Sequence, residues 1–270
     1  MILTRLNYLI VRQQMCNFVS DCSCEDQLKE SVTQLGQQSP EKVIYQTPLM
    51  SALLNGVYDG STTVAQLLQK GDFGLGTFNQ LDGELVAFDR QVYQLRADGS
   101  ASPARPEQQT PFAVMTFFKP EHQHRFAHTA KRDDVHQVID RIITSDNHFC
   151  ALRLSGRFAS VQTRTVPCQC RPYRSIPEVL GNQPTFDFRQ RDGELIGFRT
   201  PQYMQGINVA GYHEHFITDD RQGGGHILEQ GTLTFGAISK LVVDLPQDRE
   251  FLQADLNPQD LDAAIRSVES

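Results

Sequence analysis

The sequence predicts a mixed α/β (α+β) protein on three observations. Short helical and strand-like segments alternate irregularly along the 270 residues, apolar alternation broken by Asp-Gly turns marks antiparallel sheet, and one block recurs 110 positions later. The recurrence aligns Phe78 with Phe188, Gln80 with Gln190, Asp82-Gly83-Glu84-Leu85 with Asp192-Gly193-Glu194-Leu195, Phe88 with Phe198, and Tyr93 with Tyr203. So dense a match predicts an internal duplication, giving two related domains, each a mixed or antiparallel sheet with short helices. The expected divisions are a partly disordered N-terminal extension at 1–40, an N-terminal α/β domain at 41–170 and a C-terminal α/β domain with a tail at 171–270.

The elements follow in order. MILTRLNYLIVRQQ is broken by Arg5, Asn7 and Arg12, so it has neither the apolar core of a signal peptide nor the length of a membrane span. It reads as an extension that adds nothing to the fold, with Met15 as an alternative start. TPLMSALLNGVYDG is a short amphipathic helix ended by Gly56, and Ser61, Thr62 and Thr63 cap a second, VAQLLQKG. Residues 71–78 read as a Gly-rich turn, and QLDGELVAFDRQVYQLRADGSA as a hairpin or meander turning at the Asp-Gly pairs 82–83 and 98–99. A strand is expected at 112–118, a helix at 128–143, and strand structure around a turn at Ser155-Gly156 within 150–167. RPYRSIPEVLGNQPT is the expected linker with the second copy of the small helix. At the end, Leu261, Ala264, Ile265 and Val268 recur at helical spacing and predict a short docked helix.

A net charge of -7 offers no clustered Lys and Arg for phosphate, which excludes a nucleic-acid partner. With 39% hydrophobic and 21% charged residues the composition is that of a soluble globular protein, expected in the cytoplasm and not on a membrane. The six cysteines, at 16, 22, 24, 150, 168 and 170, include two Cys-x-Cys pairs spaced too tightly for a structural zinc site, and they read as reduced thiols.

The chemistry concentrates in GYHEHFITDDRQGGGH. In a strand, His213 and His215 share a face and Glu214 is turned from them. DDRQGGG has turn composition, and an antiparallel hairpin there would set His226 opposite the pair, about 5 Å away. Three imidazoles suit a zinc ion with an open fourth position, the arrangement of catalytic sites. His128, His136 and His148 have no strand geometry to join them, and His122 and His124, in KPEHQHRF, read as an exposed charged loop. A cupin would place Glu shortly after the pair, where this chain has Phe, Ile, Thr and two Asp. The residues alone leave open a metallohydrolase using zinc-bound water, and a non-enzymatic zinc-bound module.

GINVAGYHEHFITDDRQGGGHILE, with YQTPLMSALLNGVYDG, GDFGLGTFNQLDGELVAFDRQVYQLRADG, TPFAVMTFF and QTRTVP, closely resembles the alpha-acetolactate decarboxylase family from Tyr45 to the C-terminus. The resemblance implies a two-domain mixed α/β fold, commonly dimeric. It also implies zinc on His213, His215 and His226, with Glu84 and Arg164 in the active site and a second glutamate from the tail, Glu269. The reaction implied is loss of CO2 from 2-acetolactate to give acetoin, through an enediolate that zinc stabilises without an organic cofactor. In it, Arg164 would hold the leaving carboxylate or stabilise the developing charge, and a glutamate would supply the proton.

Overall fold

The structure, a computed structural model, describes residues 43–143, 145–179, 183–221, 228–238 and 240–243. The N-terminal extension, His226, the expected tail helix and Glu269 lie outside the described residues. Along the first half run β1 (Val43–Thr47), helix α1 (Met50–Leu54), β2 (Thr62–Thr63), α2 (Val64–Leu67), β3 (Phe73–Thr77), β4 (Glu84–Phe88), β5 (Gln91–Leu95), β6 (Ala101–Pro103), β7 (Gln109–Thr110) and β8 (Phe112–Thr116). There follow β9 (His122–Phe126), α3 (Arg132–Ile142), β10 (Phe149–Arg164), α4 (Ile176–Val179), β11 (Thr185–Thr200), β12 (Gly211–Thr218), β13 (Leu228–Ile238) and β14 (Lys240–Val243).

Two larger sheets result, one in the order β14-β1-β8-β3-β4-β5-β6 and one in the order β12-β11-β10-β13-β9, while β2 and β7 form a small pair. Every pairing between the named strands is antiparallel except that of β1 with β14. The sheets pack face to face. Val86, Phe88 and Val114 of the first meet Ala151, Ile196 and Phe198 of the second in one core, where the Phe73 and Phe198 rings cross edge to face at 5.9 Å. On the outer face of the seven-stranded sheet, Leu85, Ala87 and Met115 pack with Val64 and Leu67 of α2. Both faces of β4 and β8 are thus covered, which is why ELVAF and FAVMT are nearly continuous apolar runs. The outer face of the five-stranded sheet carries α3, whose Val135 and Ile139 bury against Cys150, Leu152 and Leu154.

Gly56 ends the first helix as expected, and of Ser61, Thr62 and Thr63 only Thr63 caps the second. Gly56 follows α1 with φ +89°, and Thr63 and Gln66 close a reciprocal capping box on α2. Other expectations need correction. Residues 71–78 hold a buried strand, β3, not a turn: a Cβ on Gly76 would stand 2.2 Å from the Phe112 carbonyl oxygen, so this glycine serves close backbone approach. No turn forms at Ser155-Gly156 either, because β10 runs straight through it and Gly156 pairs with Gly193 on one side and Gly231 on the other. Asp192-Gly193 likewise lies mid-strand, whereas Gly83 and Gly99 do take turn conformations at φ +89° and +84°. His122 and His124 lie on the edge strand β9, not in a loop.

The two matching sequence blocks therefore fold differently. The first makes a 3₁₀ turn at Asn79–Leu81 before β4, and the second is part of one 16-residue strand, although Gln80 and Gln190 share positive φ, 65° and 54°. The expected boundary near residue 170 falls within the five-stranded sheet, between β10 and β11, which pair along most of their length.

Candidate active site

A cavity of about 320 Å³ opens between the two sheets, bordered by Glu84, Arg164, His213 and His215. Met50, Leu53, Phe112, Ile176 and Phe186 form its apolar wall. Four of the six site residues read from the sequence are thus brought to one place from four strand positions.

β12 presents the histidines. His213 lies opposite Phe198 and His215 opposite Ile196 on β11, so both imidazoles share the inner face with core residues. Their Nε2 atoms stand 3.2 Å apart. His215 Nδ1 is 3.1 Å from the Leu85 carbonyl oxygen, which can only accept, so Nδ1 carries a proton and Nε2 is the ring nitrogen turned toward His213. Burial drives the His213 pKa down to about 4; Glu214 opposes that shift and Arg132 adds to it. His213 is therefore neutral at pH 7, the form in which imidazole binds a metal.

Glu84 reaches the same point from the other sheet, its Oε2 3.7 Å from His215 Nε2. It is the first residue of β4 and follows Gly83, whose positive φ and close approach to Leu95 (2.2 Å from a built Cβ to the carbonyl oxygen) leave no room for another residue. Thr77 Oγ1 donates to the Gly83 carbonyl at 2.9 Å and holds this turn. Arg164 closes β10, paired with Thr185 of β11, and borders the cavity.

The expected hairpin does not form. β12 pairs with β11, β13 pairs with β10 and β9, and two strands separate β12 from β13 in the sheet. The pairing argument that set His226 opposite the pair therefore fails, and His226 itself lies outside the described residues. Among the described residues no third His, Cys, Asp or Glu completes a metal-holding group. Two converging Nε2 atoms, one with its tautomer fixed by a backbone carbonyl, nonetheless fit a metal bound by imidazoles.

Glu194, the counterpart of Glu84 under the 110-residue shift, belongs elsewhere. It is bound by Arg153 Nε at 2.9 Å and by the Ser155 hydroxyl, and Arg153 also grips Asp89 at 2.8 Å. Sequence reasoning missed the outer face of β12. There Glu214 is held by Arg132 Nε at 2.6 Å and lies 2.9 Å from His136 Nε2. The four-residue spacing of Arg132 and His136 on a predicted helix was the signal available.

The family model described as alpha-acetolactate decarboxylase matches residues 44–258. The chain is 61% identical over 258 residues to an alpha-acetolactate decarboxylase of Raoultella terrigena, covering 94% of this chain and 100% of that one. It is 63% identical over 255 residues to that of Klebsiella aerogenes, covering 93% and 98%. The crystal structure of alpha-acetolactate decarboxylase from Bacillus subtilis strain 168 superposes with a TM-score of 0.82 at 41% identity, covering 84% of this chain and 99% of that chain. With the matched region spanning both sheets and the cavity between them, the chain belongs to the alpha-acetolactate decarboxylase family and is an enzyme of the carboxy-lyase class.

Proposed function

We propose that the cavity between the sheets removes CO2 from 2-acetolactate to give acetoin, with zinc held by His213 and His215 together with His226. The observation that carries this reading is the 3.2 Å convergence of the two Nε2 atoms beside Glu84, in a cavity that Arg164 also borders. Zinc, when bound, supplies a Lewis acid that accommodates the negative charge left on the substrate as CO2 departs.

The chain's own residues do the rest. The Arg164 guanidinium offers planar paired donors to the substrate carboxylate and orients the bond to be broken. Met50, Leu53 and Phe112 cover the methyl groups and keep water from the reacting carbon. Glu84, on the sheet facing the histidines, is placed to deliver a proton to one face of the enediolate, which makes the product chiral. Glu269 is the second glutamate of this reading. The enzyme acts as a cytoplasmic homodimer, and the likeness of 78–88 to 188–198 supports an internal duplication whose two copies fold differently.

The test is zinc content of the purified protein together with acetoin formation and its optical purity. One zinc per chain and acetoin enriched in one enantiomer are expected. Zinc without acetoin formation would turn the reading toward a metallohydrolase or a zinc-bound module, and racemic product would remove the facial proton donor.

A further inference from the structure

Between the two histidines of β12 stands a carboxylate that the decarboxylation leaves unused. Strand alternation turns Glu214 to the face opposite His213 and His215, against α3, where its side chain is 2% exposed. A carboxylate at that depth is costly unless it is paired and hydrogen-bonded. Arg132 meets it at 2.6 Å and His136 at 2.9 Å, one helical turn apart.

The same helix stripe continues along the strand. The His136 ring stacks on Tyr212 at 3.6 Å, nearly parallel at 3°, and the Tyr212 hydroxyl donates at 2.8 Å to Asp140, which Arg199 of β11 also binds at 2.8 Å. A second, steric feature serves the same carboxylate. Its cross-strand partner on β11 is Gly197, and a Cβ there would stand 2.8 Å from Glu214 Cγ, so the absent side chain makes the space in which Glu214 lies. An apolar residue would cover α3 as well as Leu195 and Phe216 do nearby. Hydrogen bonds differ in being directional: they weaken over a few tenths of an ångström, while apolar contact tolerates sliding.

We propose that Glu214, clamped by Arg132 and His136, is a positioning residue that fixes β12 in the register and tilt at which His213 and His215 converge, and so sets how tightly and in what geometry a metal is held. The inference rests on the zinc reading above. It adds a control of metal affinity exerted from the face of the strand opposite the two imidazoles, by Glu214 and Arg132, which also border the cavity.

The test compares the full chain with Glu214→Gln, Glu214→Leu and Arg132→Gln, measuring zinc affinity by chelator competition, the visible absorption of the cobalt-substituted proteins, and the unfolding temperature of each metal-free protein. Glu214→Gln and Arg132→Gln are expected to bind zinc roughly tenfold more weakly, the lower end of what loss of an outer support costs, and to shift the cobalt bands. Arg132 is only partly buried, so Arg132→Gln remains informative if Glu214→Leu fails to fold. Zinc affinity within about twofold of the parent, with an unchanged cobalt spectrum in both Gln variants, would overturn the inference while leaving the zinc reading standing. A parent chain that takes up neither zinc nor cobalt overturns both, and the parent measurement alone identifies that case.

Discussion

Replacing His215 with Ala removes one of two converging imidazoles and the donor to the Leu85 carbonyl, so bound zinc and activity are expected to be lost together. Metal analysis and an acetoin assay on His215→Ala check this, and retained zinc with full turnover would dissolve the site. Arg164→Lys keeps the charge but loses the planar donor pair, and turnover is expected to fall about 10²-fold or more with zinc content normal. Glu84→Gln is expected to lower turnover by about 10² to 10⁴ and to erode optical purity, again with zinc in place. A Glu84→Gln enzyme as fast and as stereoselective as the parent would hand the proton to another group. At this scale legibility was uneven. The spacing of His213 and His215 announced itself, because strand period places i and i+2 together whatever the fold. Glu84 beside an Asp-Gly turn, and Arg164 at the end of a polar strand, have no local pattern that separates them from surface charges, and only resemblance singled them out.

The short helices depend on their ends. α2 has only four residues, and its start is held by Thr63 Oγ1, which accepts from Gln66 N–H at 3.2 Å, and by Gln66 Oε1, which accepts from Thr63 N–H at 2.8 Å. Thr63→Ala is expected to cost about 0.5–2 kcal/mol in chemical denaturation, with kcat and KM unchanged since the cap is remote from the cavity. Caps were legible because they are contacts within four residues. The glycine-containing strands were not. Gly76 and Gly156 read as turn formers and Gly193 aligns with the turn glycine Gly83, yet each sits inside a strand, and what decides between the two roles is whether another backbone lies alongside. Gly193 is closed in on one side by the Phe216 ring, 2.4 Å from a built Cβ. Gly193→Val is therefore expected to disturb the β11–β12 pairing and lower the unfolding temperature by several degrees, whereas a turn glycine at negative φ would tolerate the change. Calorimetry of that variant distinguishes the two.

Across the whole molecule, stability and site share one layer, the inner faces of the two sheets. Phe198 is buried in the core between them, against Phe73 and one strand over from His213. Phe198→Ala is expected to destabilise the protein by about 3–5 kcal/mol and to weaken zinc binding as the wall behind His213 gives way. Thermal unfolding with a parallel zinc titration checks both effects, and loss of stability alone would uncouple core from site. By itself the sequence determined the α+β class, the capped helices, the Asp-Gly turns at 82–83 and 98–99, the strand that pairs His213 with His215, and the likeness to one family. These rest on periodicity, on contacts a few residues long, or on long ordered blocks of shared residues. Only the tertiary structure decided that β10 and β11 run for 16 residues each, that two strands separate β13 from β12, and that Glu84 faces His215 across a gap between sheets. It alone set Glu214 against α3. The physical reason is that strand partners and facing sheets are joined by contacts across tens of residues, and between Glu84 and His215 across more than a hundred, which burial and backbone hydrogen bonding select and no local pattern records.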